Sequence, residues 1–265
     1  MGRRARGRRE ASLIAPLSGL ITAVRFLTIV PVPGRGLDGP DALGRAAAWF
    51  PLVGLALGLA LAALDRVLAW PFPPLLSALL VLTAWKLLTG GIHLDGLADC
   101  LDGLGVRDPE RRLVVMRDSR IGAFGALGLI LLLLLTLAAL AELAPPVRRA
   151  GLVLAPLVGR YAPLLLARMF HPASPDSGYG AAFMRAVSAP AVLVGGGFVA
   201  ICAGLVLGLR GELAGAIGVA VALVAGAFFS RRLHGLTGDG LGAAVELAEL
   251  GVLLALVALV RILPG

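Results

Sequence analysis

The residues from 89 to 103 read T-G-G-I-H-L-D-G-L-A-D-C-L-D-G. Asp95, Asp99 and Asp102 stand at i, i+4 and i+7, which on a helix places the three carboxylates on one stripe. Bare carboxylates so arranged repel one another, and a hard divalent cation relieves that repulsion. An all-oxygen ligand set favours Mg2+ or Mn2+ over Zn2+, so Mg2+ is the cofactor expected here. The same residues can be read as Asp-Gly turns on a solvated loop. The apolar residues between them, and the apolar run before them, favour the helical stripe. His93, two residues before Asp95, is a candidate to orient a ligand or meet a phosphate. The alternative for it is a buried structural imidazole.

The next stretch is rich in arginine: R-D-P-E-R-R-L-V-V-M-R-D-S-R-I-G over residues 107–122. Asp108 followed by Pro109 is a helix start, with Asp as N-cap and Pro in the first turn. The guanidinium fork suits phosphate oxygens. Acidic metal ligands followed closely by arginines are the parts that phosphoryl transfer needs. Arg117, Asp118 and Arg120 are therefore candidates for the chemistry, and Arg107 for substrate binding. Membrane anchoring accounts equally well for Arg111 and Arg112.

A third polar island, G-L-T-G-D-G-L-G, covers residues 235–242. Asp239 is a candidate substrate contact there, or simply a cap on the helix that follows. Glu246 and Glu249 come next, inside an apolar run. Carboxylates at membrane depth are costly and mark function by default. Lys86 and Arg160, each within an apolar run, are their candidate counter-charges. All four are candidates for substrate binding.

The elements that must position these groups follow from composition. The chain has 265 residues, 58% hydrophobic and only 15% charged. A soluble domain carries about 25% charged residues, so this chain cannot clothe a water-facing surface. Apolar runs near the ~20 residues a bilayer demands recur along it. An all-α, polytopic membrane protein of about seven crossings is predicted, near residues 46–64, 73–92, 121–141, 150–167, 189–209, 213–230 and 241–262. No linker or internal repeat divides it, so residues 1–265 form one membrane-embedded catalytic domain. The net charge is +8 with no nucleic-acid motif, so the basic residues are assigned to orientation in the bilayer and to anionic substrates. Cys100 and Cys202 form neither a metal-ligand pattern nor a disulfide framework.

Charge also sets the topology. Residues 1–10 form a basic arm, and the apolar stretch 11–32 carries Arg25 and ends in Pro31 and Pro33. No small-residue cleavage site follows, so the stretch is expected to be retained. If 11–32 does not cross, sixteen arginines fall on the cytoplasmic side and five outside; if it crosses, the split is ten to eleven. The positive-inside rule selects the first arrangement and makes 11–32 an interfacial or re-entrant helix. The polar stretches 91–120, 168–188 and 231–240 then share the cytoplasmic face of the cell membrane.

Taken together, these motifs resemble the cobalamin synthase family of adenosylcobinamide-GDP ribazoletransferases, from Phe26 to Leu254. The resemblance rests on F-L-T-I-V-P-V-P at 26–33, F-P-L-V-G at 50–54, the Asp-rich 90–103, M-R-D-S-R-I-G at 116–122 and T-G-D-G-L-G-A-A-V-E-L-A-E-L at 237–250. The resemblance leads to the expectation of Thr where Cys100 stands, a small departure that should not abolish metal binding. The resemblance implies a Mg2+-dependent transferase that joins adenosylcobinamide-GDP to α-ribazole, or to its 5′-phosphate, with release of GMP. A homo-oligomer is compatible with the sequence. Two rivals fit less well. CDP-alcohol phosphotransferases carry D-x-x-D-G-x-x-A-R, whereas Asp102 and Gly103 are followed here by Leu-Gly-Val-Arg. A secondary transporter needs no arginine set and often shows an inverted repeat, which is not seen.

Overall fold

In a computed structural model of the chain, residues 17–174 and 178–263 are described; the basic arm 1–10 and residues 11–16 lie outside them. Every regular element among the described residues is helical.

The first helix, α1 (Leu17–Leu27), has 11 residues. At 1.5 Å per residue this described part rises about 16 Å, half of what a bilayer core requires. It ends before either proline. The chain then folds back: the Arg25 guanidinium donates to the carbonyls of Val32 and Gly34, and Ile29 N–H donates to Leu88 O at 2.8 Å.

Next come α2 (Ala42–Ala46), a 3-10 turn (Ala47–Trp49) and α3 (Phe50–Leu68), which together make one apolar run of 27 residues. The second expected crossing, 73–92, holds α4 (Pro74–Leu88), which at 15 residues is shorter than expected. Gly90 and Gly91 follow at φ 62° and 67°, and α5 (Ile92–Gly105) is bent 87° from α4. The two left-handed residues end α4 and redirect the backbone at a conformation glycine adopts without strain. α5 therefore runs across the end of the bundle rather than through it. α6 (Pro109–Val115) begins at the Asp108–Pro109 signal.

The remaining helices are α7 (Ala123–Glu142), α8 (Pro145–Met169), the short α9 (Tyr179–Ala186), α10 (Ala189–Leu233) and α11 (Gly238–Ile262). α10 is two helices. Its backbone breaks at Leu207 (φ −141°) and Gly208 (φ 55°, ψ −138°). A Cβ on Gly215 would stand 3.7 Å from the Ala203 Cβ. Twelve residues of straight helix would separate the two by about 18 Å. The halves are thus a tight hairpin, which restores the two expected crossings 189–209 and 213–230.

α8 is the axis of the bundle and is buried along nearly its whole length. Lipid offers helices no hydrophobic drive to associate, so close packing through small residues has to supply it. Gly54 and Gly58 of α3 press on the backbone of α8 at Pro156 and Val153, and Gly218 of α10 presses on Ala248 of α11. α7 and the first half of α10 are the least covered, with Leu131, Leu134, Leu193 and Leu205 outward. Toward the end of α3, buried Asp65 meets buried Arg148 of α8 at 2.8 Å, a pair the sequence reading did not single out.

Candidate active site

α5 crosses the starts of α7 and α11, and glycine on each side makes the α11 crossing close. A Cβ on Gly96 would lie 3.0 Å from the Asp239 Cα, and one on Gly242 would lie 3.4 Å from the His93 Cα. The G-D-G-L-G island is thereby brought against the Asp-rich helix. The α11 cap is Thr237, whose hydroxyl accepts from Gly240 N–H at 3.0 Å, so Asp239 is left free of that duty.

Asp95 and Asp99, one turn apart, line a cavity of about 730 Å3 together with Arg117, Asp118, Ser119 and Arg120. Neither carboxylate has an ion-pair partner among the described residues. Burial pushes the Asp99 carboxyl up to about 6, with further upward pushes from Asp95, Asp239 and Asp102. That cluster is short of positive charge. Among the described residues no three His, Cys, Asp or Glu side chains are gathered tightly enough to cage an ion by themselves. Mg2+ does not need such a cage. It is commonly bound by one or two carboxylates together with substrate phosphates and water. The donor chemistry of Asp95 and Asp99 fits that mode.

Asp102 is differently employed. Its carboxylate accepts from Gly122 N–H at 2.7 Å and from Gly125 N–H at 2.8 Å. These are orphan donors of the first turn of α7, and a carboxylate there is held by charge-assisted bonds and by the helix dipole. The three carboxylates of the stripe thus have different surroundings. Two members line the cavity and the third fastens α7 to α5.

In the loop after α6, Asp118 and Arg120 hold each other. Arg120 donates from Nε at 3.0 Å and from Nη2 at 2.6 Å, and its backbone N–H donates at 3.1 Å. The Arg120 side-chain hydrogen bond keeps the Asp118 carboxyl down at about 2. Both face the cavity, and Arg120 is largely exposed. Arg117 lines this cavity and an adjoining one of about 290 Å3 that it shares with Asp239 and Tyr179. Arg107 lines neither. Arg112 is structural: it donates to Val106 O at 3.1 Å and to Arg232 O at 2.9 Å, tying α6 to the end of α10.

The membrane-depth charges form a closed group. Lys86 Nζ lies 2.5 Å from Glu246 Oε2 and 3.1 Å from Glu249 Oε2, and Arg160 pairs with the other oxygen of Glu249. Two cations and two anions cancel, as charges away from water must. The group joins α4, α8 and α11. Arg160 also lines a third cavity, of about 210 Å3, with His93, Asp95 and Asp239. Glu246 and Glu249 line none of the three cavities, and Lys86 borders only an apolar cleft. The sequence reading missed the aromatic wall of the third cavity, Phe26, Phe50 and Phe183. Their only signal was the position of Phe26 and Phe50 inside two of the distinctive motifs.

Such a bundle, with unpaired carboxylates and arginines facing one cavity at its end, has the makings of a membrane-embedded enzyme for phosphorylated substrates. The chain belongs to the cobalamin-5-phosphate synthase family, whose model matches residues 19–257. Relatives named adenosylcobinamide-GDP ribazoletransferase cover most of it. That of Geotalea daltonii is 40% identical over 89% of this chain and 96% of its own. That of Roseiflexus sp. is 38% identical over 88% and 87%. That of Pseudomonas fluorescens is 40% identical over 88% and 97%. No solved structure matches the chain.

Proposed function

We propose that this protein joins adenosylcobinamide-GDP to α-ribazole, or to α-ribazole 5′-phosphate, in the closing steps of cobalamin biosynthesis. A ribose hydroxyl attacks the phosphorus on the cobinamide side of the pyrophosphate. The new P–O bond forms, the pyrophosphate P–O bond breaks, and GMP leaves. The observation that carries this reading is the sharing of one cavity by the unpaired Asp95 and Asp99 with Arg117 and Arg120.

Asp95 and Asp99 would hold Mg2+, which when bound polarises a phosphoryl oxygen. Arg117 takes up charge on the departing phosphate. Arg120, held by Asp118, does the same from the same loop. Asp239 borders the smaller cavities and accepts the hydrogen bond of the attacking hydroxyl, then its proton. The Lys86–Glu246–Glu249–Arg160 group holds α4, α8 and α11 together, His93 and Arg160 line the small cavity, and Arg107 draws anionic substrate toward the site. The site faces the cytoplasm, because that orientation puts most arginines inside.

The protein in lipid nanodiscs, given adenosylcobinamide-GDP, α-ribazole and Mg2+, is expected to release GMP and form adenosylcobalamin in equal amounts, read by mass spectrometry. Chelation should stop the reaction and added Mg2+ restore it. Intact protein that makes no product from this mixture would refute the assignment.

A further inference from the structure

The smallest of the three cavities differs in character from the other two. One wall is aromatic: the Phe26 and Phe50 rings lie 6.0 Å apart at 22°, and the Phe50 and Phe183 rings 5.8 Å apart at 21°. Leu43, Leu241 and Val245 extend the apolar lining. At about 210 Å3 it falls below the roughly 300–1,000 Å3 that drug-sized ligands fill, so it takes a ring-sized fragment. A corrinoid macrocycle or a whole nucleotide is too large for it.

Polar groups are few and particular. His93 is 6% exposed and Arg160 1%, and both line the cavity. The Nδ1 of His93 and the Nε of Arg160 have no hydrogen-bond partner. The two residues give an otherwise apolar lining its polar edge, beside Asp95 and Asp239. Guanine presents too many donors and acceptors for so apolar a wall. A flat, methylated bicycle with one free ring nitrogen suits it.

The position of the cavity agrees. Asp95 lines both this cavity and the large one that holds Asp99, Arg117 and Arg120. A fragment bound in the first can therefore present an attached sugar past Asp95 to a phosphate in the second.

We propose that this cavity receives the dimethylbenzimidazole base of α-ribazole, stacked along the Phe26–Phe50–Phe183 wall, with the ribose directed at Asp95 and Asp239. This rests on the transferase reading above. It separates the two substrates: nucleophile from the small cavity, pyrophosphate in the large one.

Leu43 tests it, being half-buried at the cavity wall and outside the charged machinery. Leu43→Trp fills the cavity and should raise the KM for α-ribazole at least tenfold while leaving that for adenosylcobinamide-GDP within twofold. Leu43→Ala enlarges it and should improve use of a tricyclic naphthimidazole riboside relative to α-ribazole. Binding of α-ribazole alone, by saturation-transfer NMR on the protein in nanodiscs, should weaken in Leu43→Trp. An unchanged α-ribazole KM in Leu43→Trp, or a rise confined to the corrinoid substrate, would overturn the proposal. So would an unaltered base preference in Leu43→Ala. If wild-type protein makes no product yet binds α-ribazole in a manner sensitive to Leu43→Trp, the transferase reading falls and the subsite stands.

Discussion

Gly96 of α5 lies against the backbone of Asp239 in α11, so close that a Cβ at residue 96 would stand 2.8 Å from the Asp239 carbonyl oxygen. Nothing there can yield, because the obstacle is main chain at the start of a buried helix. We expect Gly96→Ala to push the two helices apart, at about 1–3 kcal/mol of overpacking. Turnover should fall at least tenfold, since a misplacement of an ångström between Asp95 and Asp239 disturbs the reacting geometry. Steady-state assay beside a thermal unfolding curve checks this. Full activity in Gly96→Ala would show that the contact is not needed.

Asp99 and Asp102 look alike in sequence and should fail differently. Asp99→Asn removes a proposed metal ligand and should cut kcat by about a thousandfold or more, several kcal/mol of barrier, with little change in thermal stability. Asp102→Asn loses charge-assisted bonds to Gly122 and Gly125 and should cost about 1.5–3 kcal/mol of stability. Its residual folded protein should keep much of its turnover. Equal stability losses in the two variants would contradict the division of roles.

Acid should weaken metal binding through Asp99. Its carboxyl is raised to about 6, so the anion is complete above that pH and is lost as pH falls through it. Bound Mg2+ favours the anion and releases the proton, so apparent Mg2+ affinity should drop about tenfold per unit below pH 6. The Asp118–Arg120 pair cannot cause this limb, because Asp118 stays ionised down to about 2. Mg2+ titrations at pH 5 and pH 8 measure the effect. A Mg2+ requirement that is the same at both values would count against Asp99 as a ligand.

The Asp65–Arg148 pair should matter for folding alone. Asp65 lies three residues from the end of α3, far from Phe50 at the site end of the same helix. Asp65→Ala leaves Arg148 buried and unpaired, at about 3–5 kcal/mol. Yield and unfolding temperature should drop while kcat of the surviving enzyme stays within about twofold. A large kcat loss at normal stability would reverse that view.

Orientation is open to labelling. Arg111→Cys in α6 should resist an impermeant maleimide applied to intact spheroplasts and react once the membrane is permeabilised. Ready labelling from outside would invert the topology.

The amino-acid sequence by itself determined the class, the helices and the chemical cast. Hydrophobic runs against a bilayer of fixed thickness specify spans with little help from tertiary contacts, and the long apolar helices, five of them by length and composition among the described residues, were legible for that reason. So were the carboxylates and arginines, since charge in so apolar a chain has few other uses. What the tertiary structure decided was their employment. Asp95, Asp99 and Asp102 share a stripe, yet only the start of α7 could draw Asp102 away, because an orphaned helix turn needs acceptors that a linear pattern does not reveal. Lys86, Glu246, Glu249 and Arg160 read as separate candidates, and only packing brought them into one neutral group. The aromatic wall joins residues 26, 50 and 183, three apolar positions like many others until the fold stacks their rings. A cavity exists only where distant elements fail to touch, and no local pattern encodes that.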